Sequence, residues 1–259
     1  MNWRIINDRP RNAFFNMALD EAISEAVRKK HSPPTLRLYQ WSEPSVSIGY
    51  FQRSSDIDTG YSRKKQYPVV RRSTGGTAIL HDDELTYSFS ARTDVTPFRG
   101  GLFKNYLIIS KALVLALKMN GMEADIALNK NRRQRSLFCF KTSSYGEVTV
   151  NGEKVIGSAQ KRYKHGFLQQ GSLLMNFNEE ELGRVLDINN HGKDFFEVGS
   201  IRKYVPGATI KNLKKSLKEA FEKKFTIKFT EEGPSGFELE LAKYLESKKY
   251  STAEWNYRK

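Results

Sequence analysis

The chain has 259 residues, 43 Lys and Arg against 29 Asp and Glu, and a formal net charge of +14. Its composition, 39% hydrophobic and 28% charged, is that of a globular protein with a sizeable core. No apolar run approaches the roughly 18 residues of a membrane helix, the start MNWRIINDRPRNAFF carries no apolar stretch with a cleavage site, and the lone Cys139 excludes an intrachain disulfide. His31, His81, His165 and His191 show no metal-ligand spacing, and a reducing cytoplasm is the expected location. The positive surplus suits nucleic acid, an anionic membrane or an acidic protein, although a lysine-rich solvated surface is the simpler account of charge alone.

In chain order, Trp3–Ile6 reads as a first strand. A helix follows near Asn16–Lys29, where Leu19, Ala22, Ile23, Ala26 and Val27 share one face. Short strands are expected at Leu36–Tyr39, Val46–Gly49, Val69–Arg72, Ala78–His81 and Leu85–Phe89. Leu102–Met119 is helical and apolar nearly all round, which predicts burial on most sides. The basic run Lys130–Arg135 reads as an exposed loop. Val148–Val150, Asn151-Gly152 and Glu153–Ile156 form the clearest local signal, a type I′ hairpin. Phe167–Met175 is a further strand. Helices near Glu179–Leu186, Ile210–Lys224 and Phe237–Ser247, with a short strand at Ile227–Phe229, complete the chain. The class is α+β, a central mixed or antiparallel sheet flanked by helices, in one domain over 1–259 whose mainly helical part 179–259 is the one candidate subdomain.

Three segments carry candidate chemistry. In Arg71-Arg72-Ser73-Thr74-Gly75-Gly76-Thr77, followed by His81-Asp82, two arginines enter a Gly-Gly turn between strands. Glycines let a backbone approach a ligand, and arginines grip carboxylate or phosphate; an ordinary tight turn is the competing account. Phe138-Cys139-Phe140 follows a dense basic run. Taken blind, a free cysteine is usually a small buried hydrophobe. Positive potential lowers a thiol pKa from about 8.5 and makes Cys139 a candidate nucleophile. Lys154, just after the hairpin turn, is either solvated or, if turned inward, able to stabilise a thiolate and a developing oxyanion. Gly157-Ser158-Ala159 are small enough for something large to lie against them.

Together these segments resemble the lipoate/octanoate transferase and biotin/lipoate protein ligase superfamily. RRSTGGTAILHDDELTYS (Arg71–Ser88) resembles its lipoate-loop signature, KVIGSAQKR (Lys154–Arg162) its acyl-binding lysine strand and NMALDE (Asn16–Glu21) its first helix. Ser251–Arg258, with Trp255-Asn256, resembles the tail of one subfamily. Within the superfamily the chain is most similar to the Gram-positive-type octanoyltransferases. His81-Asp82-Asp83-Glu84-Leu85-Thr86-Tyr87-Ser88 is closer to that group than to the ATP-dependent ligases, and Cys139 stands fifteen residues before Lys154, where that group places its nucleophile. One departure is Gln170, in a segment where members often carry a histidine.

The resemblance implies a ligase-type catalytic domain that moves octanoyl from octanoyl-acyl carrier protein to lipoyl domains or the glycine cleavage H protein. It implies Cys139 and Lys154 as catalytic residues. Arg71, Arg72, Thr74, Gly75, Gly76, His81, Gly157, Ser158, Ala159 and Gln160 would bind substrate. Neither metal nor cofactor is called for, and neither nucleic acid nor membrane is an expected partner. The basic residues Lys130–Arg135, Lys161, Arg162 and Lys164 would then steer acidic protein substrates. An ATP-dependent lipoate–protein ligase, with Cys139 incidental, and an amidotransferase between lipoyl domains stay open. A non-catalytic nucleic-acid-binding protein is disfavoured by the lack of a recognisable binding motif.

Overall fold

The structure, a computed structural model, describes residues 2–127, 146–186 and 198–258. Its elements are β1 (Asn2–Asn7), α1 (Ala13–Arg28), β2 (Thr35–Tyr39), β3 (Ser45–Ile48), α2 (Thr59–Lys64), β4 (Val69–Arg71), β5 (Ile79–His81), β6 (Glu84–Arg92), α3 (Leu102–Met119), β7 (Ala124–Ile126), β8 (Val148–Val150), β9 (Glu153–Tyr163), β10 (Gly166–Leu174), α4 (Glu179–Val185), α5 (Ile201–Tyr204), α6 (Ile210–Phe225), β11 (Lys228–Glu231), α7 (Gly236–Leu245) and α8 (Ala253–Asn256).

Eight strands form the main sheet in the order β11-β1-β2-β6-β10-β9-β8-β7, and β4-β3-β5 form a smaller one. The main sheet is mixed: β1 runs parallel to β2 and β11, and the remaining pairs are antiparallel. One face buries Trp3, Phe89, Phe98 and Phe167 against α3 and α6. The other carries α1, flanked by α7, with Leu19, Ala22, Ile23 and Val27 in the contact. The C-terminal elements join this frame directly, since β11 pairs with β1, α6 packs on α3 and α7 on α1.

Local chemistry sets the element ends. The Asn12 side chain accepts from Phe15 N at 2.7 Å, so α1 begins three residues ahead of the start read from its apolar stripe. Asn151 and Gly152 have φ of +50° and +85°, as a type I′ turn requires, and Val150 pairs with Glu153. β9 runs on to Tyr163, so KVIGSAQKR is a continuous strand rather than the end of a short hairpin arm. The expectation for Leu102–Met119 needs correcting. The helix is half-buried, with Ile109, Ala112, Leu113, Ala116 and Leu117 inward while Leu102 and Phe103 are each 44% exposed. The sheet lies on one side of α3, and β7 and α6 do not wrap the rest. The short elements α2, α5, α8 and β7 have too few residues to show a period in the sequence.

Candidate functional site

A cavity lies on the α1 face of the sheet. Its floor comes from neighbouring strands: Lys154 and Gly157–Ala159 of β9, Gln170 to Ser172 of β10, Thr86 of β6 and Tyr39 of β2. Met17 of α1 borders it, and Ser47, Arg72, Thr77, Ile79 and His81 close it from the small sheet and its loop. Small side chains on β9 and β10 leave the space. At Gly171 a Cβ would sit 2.3 Å from the Tyr87 ring, so only glycine fits there.

Lys154 points inward. Its side chain is 1% exposed, lines the cavity, and Nζ donates to Glu147 Oε1 at 2.5 Å. The solvated alternative for this lysine is thereby excluded.

The polar residues around the cavity bond to one another rather than to the space they enclose. His81 Nε2 and Ser47 Oγ are 2.7 Å apart, and His81 Nδ1 lies 2.8 Å from Glu84 Oε1. The hydroxyls of Thr86 and Ser172 also donate to Glu84. Trp41 stacks on the His81 ring with centroids 3.9 Å apart, and its Nε1 donates to Thr86 Oγ1 at 2.8 Å. Arg72 is turned back onto its own loop, donating to Gly75 O at 2.7 Å, Thr77 O at 2.8 Å and Ser47 O at 3.1 Å.

Buried Asp20, from the NMALDE helix, accepts from Arg37, Tyr39, Ser88 and Gln170 at 2.7–2.8 Å. Burial and the Asp20 carboxylate push the Tyr39 phenol well above its usual pKa, which keeps it a donor. Burial likewise raises the Tyr87 phenol to about 12; its oxygen lies 2.8 Å from Ser158 Oγ and accepts from Gln169. With donors and acceptors paired in this way, what remains to face the cavity is largely carbon, which suits a hydrocarbon chain.

Of the residues picked out from the sequence, Arg72, His81, Lys154, Gly157, Ser158 and Ala159 line this cavity. Thr74 stands behind its wall and donates to Gln170 Oε1 at 2.9 Å. Gly75 and Gly76 shape the loop without lining the space. A Cβ on Gly49 would lie 1.7 Å from Gly76 O, so the two backbones touch. Gln160 bonds Gln169 Oε1 at 2.9 Å, away from the lining. Arg71 is elsewhere: its guanidinium donates to carbonyls of Gly49, Gln52, Trp255, Asn256 and Arg258 at 2.5–3.1 Å and ties the C-terminal tail to the loop. Cys139 and Lys130–Arg135 lie outside the described residues. Sequence reasoning missed Met17, Trp41, Ser47, Glu84 and Glu147. Met17 and Asp20 had a signal in the NMALDE motif, whereas Glu147 reaches the site only through folding.

Among the described residues no group of three or more His, Cys, Asp or Glu is arranged to hold a metal ion, and no helix is long and apolar enough to cross a membrane.

The buried strand lysine and the residues that line its apolar cavity lie within residues 12–222, which match the lipoyl protein ligase A/B catalytic domain, and the chain belongs to that family. The chain is 35% identical to octanoyltransferase LipM of Carboxydothermus hydrogenoformans, over 99% of its own length and 98% of the relative's. It is 36% identical to octanoyltransferase LipM of Kyrpidia tusciae, over 99% of both. Among solved structures it is similar to lipoate-protein ligase A bound with ATP, with TM-score 0.84, 25% identity and 99% of each chain covered. It is also similar to the bi-partite lipoate protein ligase of Thermoplasma acidophilum, with TM-score 0.83, 26% identity and 99% and 96% of the two chains covered.

Proposed function

We propose that this chain is an octanoyltransferase of lipoate biosynthesis, moving octanoyl from octanoyl-acyl carrier protein to a lysine of a lipoyl domain or of the glycine cleavage H protein through a Cys139 acyl-enzyme. The observation that carries the reading is the inward Lys154 at a cavity whose polar groups are turned onto one another. The Cys139 thiolate attacks the donor thioester carbonyl and the carrier thiol leaves, taking a proton. The neutral amine of the acceptor lysine then attacks the new thioester; the C–S bond breaks, the amide forms, and the amine proton leaves with the restored cysteine. Thioester to amide is downhill, so the transfer requires neither ATP nor a metal.

Lys154 Nζ holds the carbonyl oxygen as negative charge develops on it. The hydrocarbon tail lies along Gly157–Ala159; burying about six methylenes at roughly 0.8 kcal/mol each supplies about 5 kcal/mol for tail recognition. The basic residues Lys161, Arg162 and Lys164, with Lys130–Arg135, steer acidic partners in a cytoplasmic setting.

The test is intact mass after incubation with octanoyl-acyl carrier protein. One octanoyl adduct on the wild type, its loss in Cys139→Ser, and transfer without ATP support the reading. A serine variant with wild-type turnover removes covalent catalysis through Cys139. The similarity to an ATP-bound ligase favours one rival, which predicts ATP-dependent acyl-adenylate and no adduct.

A further inference from the structure

The strand register shows where the cavity stops. Gly157, Ser172, Thr86 and Tyr39 form one row across the sheet, and Ala159, Gln170, Ser88 and Arg37 form the next. The row beyond, Lys161, Leu168, Ser90 and Thr35, does not line the cavity. In the second row Arg37 and Ser88 are drawn into the Asp20 network, which leaves Gln170 and Ala159 as the last wall, with Met17 beside them.

The Gln170 amide is held from both ends. Nε2 donates to Asp20 Oδ2 at 2.7 Å and lies 3.5 Å from Met17 Sδ, while Oε1 accepts from Thr74 Oγ1 at 2.9 Å. Asp20 is itself fixed by Arg37 and Tyr39, so swinging Gln170 aside breaks its hydrogen bonds to Asp20 and Thr74. A carboxamide does not ionise near neutral pH, so the Gln170 side chain keeps its charge state across the pH range in which a histidine would titrate.

We propose that Gln170 and Met17 form the stop that sets acyl-chain length, with the carbonyl at the Lys154 end and the terminal methyl against these two side chains. The proposal rests on the acyl-cavity reading given above. From Lys154 to Ala159 is five residues of strand, about 17 Å at roughly 3.3 Å each. The inward lysine fills part of that length, and the remainder suits a straight acyl chain of medium length. A longer chain meets a side chain that moves only by giving up its hydrogen bonds to Asp20 and Thr74.

The experiment is calorimetric binding of free hexanoate, octanoate, decanoate and dodecanoate to the wild type and to Gln170→Ala, Met17→Ala and Met17→Phe. The wild type should bind octanoate at least about tenfold more tightly than dodecanoate, the discrimination expected of a closed apolar pocket. Gln170→Ala and Met17→Ala should raise the decanoate-to-octanoate affinity ratio about tenfold, and Met17→Phe should move the optimum to hexanoate. The Met17 variants leave the Asp20 and Thr74 hydrogen bonds in place, so they carry the test if Gln170→Ala melts early. Wild-type affinity rising steadily through dodecanoate, or the same chain-length order in all three variants, overturns the stop. Octanoate binding with the expected shifts but no Cys139 adduct sinks the transfer mechanism and leaves the stop standing. An adduct with unshifted preference does the reverse, and a wild type that binds no fatty acid overturns the stop while the adduct still decides the transfer.

Discussion

Lys154 Nζ and Glu147 Oε1 are 2.5 Å apart, with the lysine side chain 1% exposed and the glutamate 7%. β8 and β9 form the hairpin that brings them together: Glu147 immediately precedes β8, and Lys154 is the second residue of β9. Removing one member of a buried ion pair costs about 3–5 kcal/mol because the other charge stays in a poorly solvating site. Glu147→Gln should therefore lower Tm by about 6–20 °C in a chain of this size. Lys154→Met should abolish octanoyl transfer, and the double variant should be more stable than the sum of the two losses. Calorimetric melting of the three proteins checks this; strictly additive Tm losses would show that the pair is not coupled.

Arg71 and Arg72 are neighbours with separate tasks: β4 ends at Arg71, whose guanidinium turns to the C-terminal tail, while Arg72 turns onto its own loop. Arg71 serves the tail. Lysine keeps the charge but lacks the five-donor fork that reaches several carbonyls at once. Arg71→Lys should lower stability by about 2–4 kcal/mol, and so should removal of residues 251–259. Combining the two should cost little more than either alone. An Arg71→Lys protein that melts with the wild type would remove the clamp.

Glu238 of α7 receives Arg4 of β1 at Oε1 and Oε2, at 2.5 and 3.0 Å. Burial by itself would raise its carboxyl; the Arg4 guanidinium, the Ser235 N–H and the Ser32 hydroxyl outweigh that and hold it below the ordinary value of 4.5. A pKa depressed in the folded state contributes stability that is fully present above the unfolded value and is lost as pH falls through the folded one. The Tm gap between wild type and Glu238→Gln should be full at pH 6–7 and should close below about pH 4. A gap independent of pH from 7 to 3 would contradict this sign.

Docking through exposed charge acts on association more than on chemistry. Raising salt from about 0.05 to about 0.5 M shortens the Debye length from roughly 14 to roughly 4 Å and should lower kcat/KM for octanoyl-acyl carrier protein far more than kcat. Neutralising Arg132, Arg133 and Arg135 together should reproduce that loss at low salt and spare a small octanoyl thioester. Equal slowing of both substrates would place these arginines in the chemistry instead of docking.

Local features are legible in the chain. The stripe on α1, the Asn151-Gly152 turn and the Gly-Gly loop each depend on residues within one or two turns of chain, so period and turn chemistry reveal them. Residue type and motif also bring Lys154 and the Gly157–Ala159 stretch into view. What those side chains meet depends on contacts between distant segments. Lys154 is buried with Glu147 folded beside it, Arg71 is away from the cavity because the carbonyls of the C-terminal tail hold it, and α3 is half-exposed because only one side meets the sheet. Gln170, a departure from a family pattern in the sequence, becomes a fixed wall only when α1 supplies Asp20 and the loop supplies Thr74. A hydrogen bond joining residues 150 and 96 positions apart leaves no periodic trace in the chain, because its geometry exists only once the sheet has set the register.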